Sequence, residues 1–94
     1  MRRAIVTAAL LTGVVACGRK ATVADCQLIV DQNVAVQMRA MHVVDPAAIA
    51  KKQAELQTEL KGELKECVGR RVSDTMMSCV KGAQTSDEIA ACLR

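Results

Sequence analysis

From residue 23 onward, apolar positions recur with the period of an α-helix. Val23, Cys26, Val30, Val34, Met38 and Met41 follow one another in steps of 3, 4, 4, 4 and 3, which is the repeat of a single helical face. Ile29 widens that stripe, and Asp25, Asp31, Gln32 and Arg39 lie away from it. Leu28 and Val36 also fall outside it and imply a second contact surface. The pattern stops at His42-Val43-Val44, after which Asp45-Pro46 supplies an N-cap carboxylate followed by a proline at the first helical position, where a missing N–H costs nothing.

A second stripe then runs through Ile49, Gln53, Leu56, Leu60, Leu64 and Cys67, with Lys51, Lys52, Glu55, Glu59, Lys61, Glu63, Lys65 and Glu66 largely on the other faces. Gly62 interrupts it at a cost of ~1 kcal/mol relative to Ala, which is tolerable where a neighbouring backbone must approach closely; a hinge is the less favoured reading. Gly69 fits the end of this helix. Ser73 reads as the N-cap of a short third helix that Gly82 closes, with Asp74 in its first turn and Val72 placed to staple against Met77. Thr85 and Glu88 form a capping-box pattern ahead of a last short helix on which Ile89, Cys92 and Leu93 share a face. The expected fold is all-α: a small disulfide-stapled bundle over residues 22–94, made of a long antiparallel helical hairpin and two short C-terminal helices.

The N-terminus follows different rules. Arg2 and Arg3 precede 13 uncharged residues, 4–16. At 1.5 Å per residue such a run reaches ~20 Å, against a hydrocarbon core of ~30 Å, so a cleaved signal peptide over residues 1–16 is the better reading than a membrane span. Val14-Val15-Ala16-Cys17 resembles the lipobox of bacterial lipoproteins, with an aliphatic residue, a tolerant position and a small residue directly before Cys. The family prefers Leu where Val14 stands, and Val-x-Ala also suits a general signal peptidase. The resemblance implies that the Cys17 thiol receives a diacylglycerol, that the chain is cut before it, and that residues 17–21 form a lipidated Cys and short tether. Gly18 is not the Asp that retains such lipoproteins in the inner membrane of enteric bacteria, so in a Gram-negative cell the resemblance implies the outer membrane, facing the periplasm.

Loss of the leader changes the charge. Arg2 and Arg3 account for two of the 13 basic residues, leaving 11 against 10 acidic ones, so the net charge falls from +3 to +1. A near-neutral surface gives no electrostatic footprint for nucleic acid and no polybasic patch for anionic lipid, so membrane attachment is expected to rest on the acyl chains. The adjacent pairs Arg19-Lys20 and Arg70-Arg71 read as solvated surface. With 51% hydrophobic residues the chain is not disordered, and with no Phe, Tyr or Trp its core must come from aliphatic residues, Met and Cys.

If lipid consumes Cys17, then Cys26, Cys67, Cys79 and Cys92 remain as an even set in an oxidising compartment, and two disulfides are expected. A mature chain of ~78 residues without aromatics needs such staples, each contributing ~2 to 4 kcal/mol. A tetracysteine zinc site normally uses close C-x-x-C pairs, whereas these four are separated by 40, 11 and 12 residues. The lack of C-x-x-C also argues against thioredoxin-like redox chemistry. If the helices stack as a bundle, matching heights pairs Cys26 with Cys79 and Cys67 with Cys92; the sequential pairing, Cys26 with Cys67 and Cys79 with Cys92, stands beside it.

Catalytic chemistry has no visible carrier. No activated nucleophile, paired carboxylates or phosphate loop stands out, and H-E-x-x-H and G-x-S-x-G are missing from the sequence. His42 sits where an imidazolium would complement a helix C-terminus. Met38, Met41 and His42, with Met76-Met77, are the soft donors that Cu(I) would use, although the Met positions also continue the core stripe or fill gaps between helices. The mature part resembles small tetracysteine helical envelope lipoproteins, a likeness that implies no activity. The expectation is a non-catalytic, membrane-anchored envelope lipoprotein that needs no cofactor and acts by tethering, by binding another envelope protein or by self-association. The alternative is a small-ligand or metal-binding periplasmic module.

Overall fold

The computed structural model describes residues 18–94; the signal peptide expected over residues 1–16 and the lipidation expected at Cys17 lie outside that range. The element order is β1 (Arg19–Lys20), α1 (Val23–Ala40), α2 (Pro46–Glu59), α3 (Lys61–Cys67), β2 (Arg71–Val72), α4 (Asp74–Gly82) and α5 (Ser86–Cys92). Five helices hold 71% of the described residues, so the chain is mostly helical, as its periodicity predicts. The strand pair is not in that periodicity.

Each helix begins where a side chain accepts an otherwise unpaired N–H, α3 excepted. Thr22 caps α1 in a complete capping box, its hydroxyl accepting from the Asp25 N–H while the Asp25 carboxylate accepts from the Thr22 N–H. Asp45 accepts from the Ala47 N–H with Pro46 at the first helical position of α2. Ser73 accepts from Met76, and Thr85 from Glu88. The Glu88 carboxylate reaches back to the Gln84 N–H, one residue earlier than a standard box.

At its other end α1 closes in a Schellman arrangement. The Val43 N–H donates to the Met38 carbonyl and the His42 N–H to the Arg39 carbonyl, both at 2.9 Å. His42 carries the positive φ, 63°, that the motif requires, a conformation that histidine visits more readily than most non-glycine residues. Its role at the end of the first helix is therefore played by its backbone.

The second long helix of the sequence reading is two helices. The chain departs from helical geometry at Leu60 (φ −98°, ψ 22°), and α3 starts at Lys61. A Cβ built on Gly62 would meet nothing within 4 Å, which corrects the expectation of a close backbone approach. α2 itself contains no buried residue. It is held to α1 by glutamines: Gln53 donates to the Asp31 carbonyl, and Gln57 to the Gln27 carbonyl and the Asp31 carboxylate, at 3.0 to 3.1 Å.

Two apolar clusters form the interior. One gathers Ala21, Cys26, Val72 and Met77, with Leu28, Ile29, Leu64, Cys67 and Met76 packed against them. The other gathers Val36, Val80, Ala83 and Ile89, with Ile29, Cys92 and Leu93. Leu28 and Val36, off the main stripe of α1, thus find their second contact inside the molecule. The Val72–Met77 staple falls within the first cluster as expected. Val23 and Met41, at the two ends of the predicted stripe, are exposed.

Candidate functional site

The end of the molecule where the described chain begins concentrates most of its unusual chemistry. β1 and β2 pair antiparallel, Arg19 opposite Val72 and Lys20 opposite Arg71. The ladder continues into the flanking chain, where the Ala21 N–H donates to the Arg70 carbonyl at 2.7 Å and the Gly69 N–H to the Ala21 carbonyl at 2.9 Å. Gly69 makes this return with φ 91°. The described part of the expected 17–21 tether is thereby corrected: residues 18–21 are built into the fold, and Ala21 is 3% exposed. Gly18 has φ 90°, and a Cβ there would stand 2.5 Å from the Val72 carbonyl oxygen, so only glycine fits.

Arg19 is partly exposed but ion-paired, not a free surface charge. Its guanidinium meets Asp25 twice, Nη1 to Oδ2 at 2.6 Å and Nη2 to Oδ1 at 3.2 Å, and its Nε donates to Asp74 Oδ1 at 2.8 Å. Asp25 and Asp74 stand in the first turns of α1 and α4, where carboxylates also suit the helix dipole. One side chain of β1 thus gathers two helix starts. The bidentate Arg19 contact, followed by the Thr22 N–H, holds the Asp25 carboxyl well below the usual carboxylate range, and the two aspartates push Arg19 further above its ordinary value.

The disulfides are Cys26–Cys67 and Cys79–Cys92, with Cα separations of 6.1 and 5.6 Å. Matching heights favoured the crossed pairing of Cys26 with Cys79 and Cys67 with Cys92, and it is incorrect. The strand pair supplies the reason. By hydrogen-bonding Gly69 to Ala21 it draws the end of α3 beside the start of α1, while α4 and α5, joined by a short turn, pack on each other and bring their own cysteines together. All four sulfurs are covalently paired, so none offers a thiolate to a metal.

The soft donors are not brought into one site. Met76 and Met77 belong to the cluster around Cys26, whereas Met38, Met41 and His42 lie at the far end of α1, 12 or more residues on, or roughly 18 Å at 1.5 Å per residue. Among the described residues no group of three or more His, Cys, Asp or Glu side chains is arranged to hold a metal ion, and no helix is long and apolar enough to cross a membrane.

Beside the strand pair lies an apolar recess lined by Val23, Cys26, Lys61, Leu64, Lys65 and Val68. Val23 and Val68 are 59% and 41% exposed there. Around the other side of α3, Glu63, Glu66, Arg70 and Arg71 share a second recess with Ile29 and Leu93. Lys20, Lys61, Lys65, Arg70 and Arg71 are all exposed. The only ion pairs within 4.0 Å among the described residues are those of Arg19 and a surface pair between Lys52 and Glu55, so these five cations make none. The sequence alone shows Arg19-Lys20 and Arg70-Arg71 as two separate surface pairs; a register pairing across more than fifty residues, which leaves no local signal, brings Lys20 and Arg71 together. Compared with known families, curated proteins and solved structures, the chain matches none.

Proposed function

We propose that the chain is a non-catalytic lipoprotein of the cell envelope, anchored through lipid on Cys17, whose folded body serves as a tether or protein-binding module. Cysteine usage carries the reading. Two disulfides take up Cys26, Cys67, Cys79 and Cys92, and the fifth cysteine is the one that follows a basic start, an apolar run and Val14-Val15-Ala16. An oxidising compartment and an export signal support each other. In a Gram-negative host, Gly18 favours the outer membrane, facing the periplasm. We read α1 and α2 as an antiparallel hairpin that projects from the disulfide-closed end, since Gln53 and Gln57 reach Asp31 and Gln27 in reversed order. Its turn then presents the exposed Met41 and Val44 to a partner protein or a second copy.

Metabolic labelling with radioactive palmitate tests the anchor. The wild-type chain is expected to take up label and to fractionate with membranes, and Cys17→Ser to do neither. An unlabelled wild-type chain, or label that persists in Cys17→Ser, would overturn the proposal.

A further inference from the structure

We infer that the strand-pair end lies within the headgroup layer of an anionic bilayer, with Lys20, Lys61, Lys65, Arg70 and Arg71 on lipid phosphates and Val23 and Val68 at the edge of the acyl region. The inference rests on lipidation of Cys17 and adds to it an orientation and a lipid class.

Chain geometry keeps this end close to the bilayer. The Cα of Gly18 is about 3.8 Å from that of Cys17, and Gly18 already belongs to the fold, its φ and its close approach to the Val72 carbonyl fixed by the strand pair. Headgroups extend roughly 5 to 7 Å beyond the hydrocarbon on each side of a bilayer. With one residue of slack plus the Cys17 side chain and its glyceryl unit, β1 stays at the level of that layer or just beyond it, within reach of lysine and arginine side chains.

What the strand pair presents there is suited to lipid. Directly opposed residues of an antiparallel pair project on the same face. Arg19 and Val72 share the inward face, the first gripping Asp25 and Asp74 and the second 6% exposed. Lys20 and Arg71 therefore share the outward one. Arg70 adjoins them, and Lys61 and Lys65 rim the apolar recess that leaves Val23 and Val68 uncovered. Asp25 and Asp74 are taken up by Arg19; Glu63 and Glu66 stand on the other side of α3, where they share a recess with Arg70 and Arg71 and offset part of their charge. A near-neutral sequence thus folds with five cations that make no ion pair among the described residues, Lys20, Lys61, Lys65, Arg70 and Arg71, at the anchored end, against the two carboxylates Glu63 and Glu66. A diacylglyceryl group already anchors through two acyl chains; cations beside it add an orientation and a preference for anionic lipid.

The full-length lipidated protein, reconstituted in vesicles of phosphatidylcholine alone or with phosphatidylglycerol, tests this by the rate at which a membrane-impermeant amine reagent modifies each lysine, read by peptide mass spectrometry. Lys20, Lys61 and Lys65 are expected to react at least about threefold more slowly in the anionic vesicles, with the difference removed by high salt that screens phosphate contacts. Lys51 and Lys52, roughly 15 Å further along α2 and α3 from Lys61 and Lys65, are expected to react equally in both. K20E together with R71E should abolish the difference while lipid remains on Cys17. Equal rates at Lys20, Lys61 and Lys65 in the two vesicle types, or equal slowing at Lys51 and Lys52, would overturn the inference. If mass analysis finds Cys17 without lipid, the anchor fails separately, and co-sedimentation of the chain with anionic but not neutral vesicles still decides the docking surface.

Discussion

Arg19 holds the Asp25 carboxylate with both ends of its guanidinium, at 2.6 and 3.2 Å, and so ties β1 to the first turn of α1. The pair sits six residues apart in sequence, yet it joins the strand that precedes the helix to the helix itself, and its third hydrogen bond extends the tie to α4 through Asp74.

That pair makes stability depend on pH in acid. An unfolded aspartate titrates near ~3.9, and in the fold Asp25 titrates well below that because of Arg19 and the Thr22 N–H. A group with a depressed folded pKa contributes stability that is fully present above the unfolded value and is lost as pH falls through the folded one. The urea midpoint of the wild-type protein is therefore expected to fall between pH 5 and pH 2 by more than that of Asp25→Asn. Identical acid dependence in the two proteins would exclude Asp25 as the source.

Reduction should cost the fold most of its stability. Closing loops with sequence separations of 41 and 13 constrains the unfolded chain by about 4 and about 3 kcal/mol in the chain-entropy account, comparable with the whole stability of a small domain. Far-UV circular dichroism in reductant is expected to show loss of helix and a much lower Tm. Peptide mapping under non-reducing conditions should return Cys26–Cys67 and Cys79–Cys92 and no crossed pair.

Two glycines should respond in opposite directions. Gly62→Ala places a methyl in open space near the start of α3 and is expected to stabilise by up to about 1 kcal/mol. Gly18→Ala forces a Cβ onto the Val72 carbonyl at a left-handed φ and should lower the Tm of the oxidised protein. Thermal melts of the two variants check both signs.

His42→Gly should stabilise as well. A histidine at φ 63° bears a steric cost that glycine escapes, and the hydrogen bonds closing α1 at this point are from backbone groups alone. A gain of a few tenths to about 1 kcal/mol in urea unfolding is expected; a loss would mean that the imidazole itself supports the turn.

The helices were legible in the sequence because each long one repeats its apolar face over several turns and because Asp45-Pro46, Ser73 and Thr85 announce their starts. Thr22 with Asp25 carries the same signal for α1 but stands ahead of a stripe whose first residue, Val23, turns out exposed. The break at Leu60 was hidden, since the apolar spacing continues across it without a change of period. The strand pair was hidden more deeply: two residues are too few to show alternation, and Arg19 finds Val72 only through the folded chain. Disulfide pairing, the outward face of Lys20 and Arg71 and the grip of Arg19 all descend from that pairing, so they were lost together.

Ile29 packs against both apolar clusters, and among the described residues it is the one side chain they have in common. Each cluster also has its own disulfide, Cys26–Cys67 in the first and Cys92 of the other bridge beside the second. Damage to the molecule is therefore compartmented. An opened Cys79–Cys92 bridge can loosen the α4–α5 side while the half next to the chain start keeps its covalent closure, and disorder on one side is felt on the other through Ile29 and through α1 and α4, which run through both clusters.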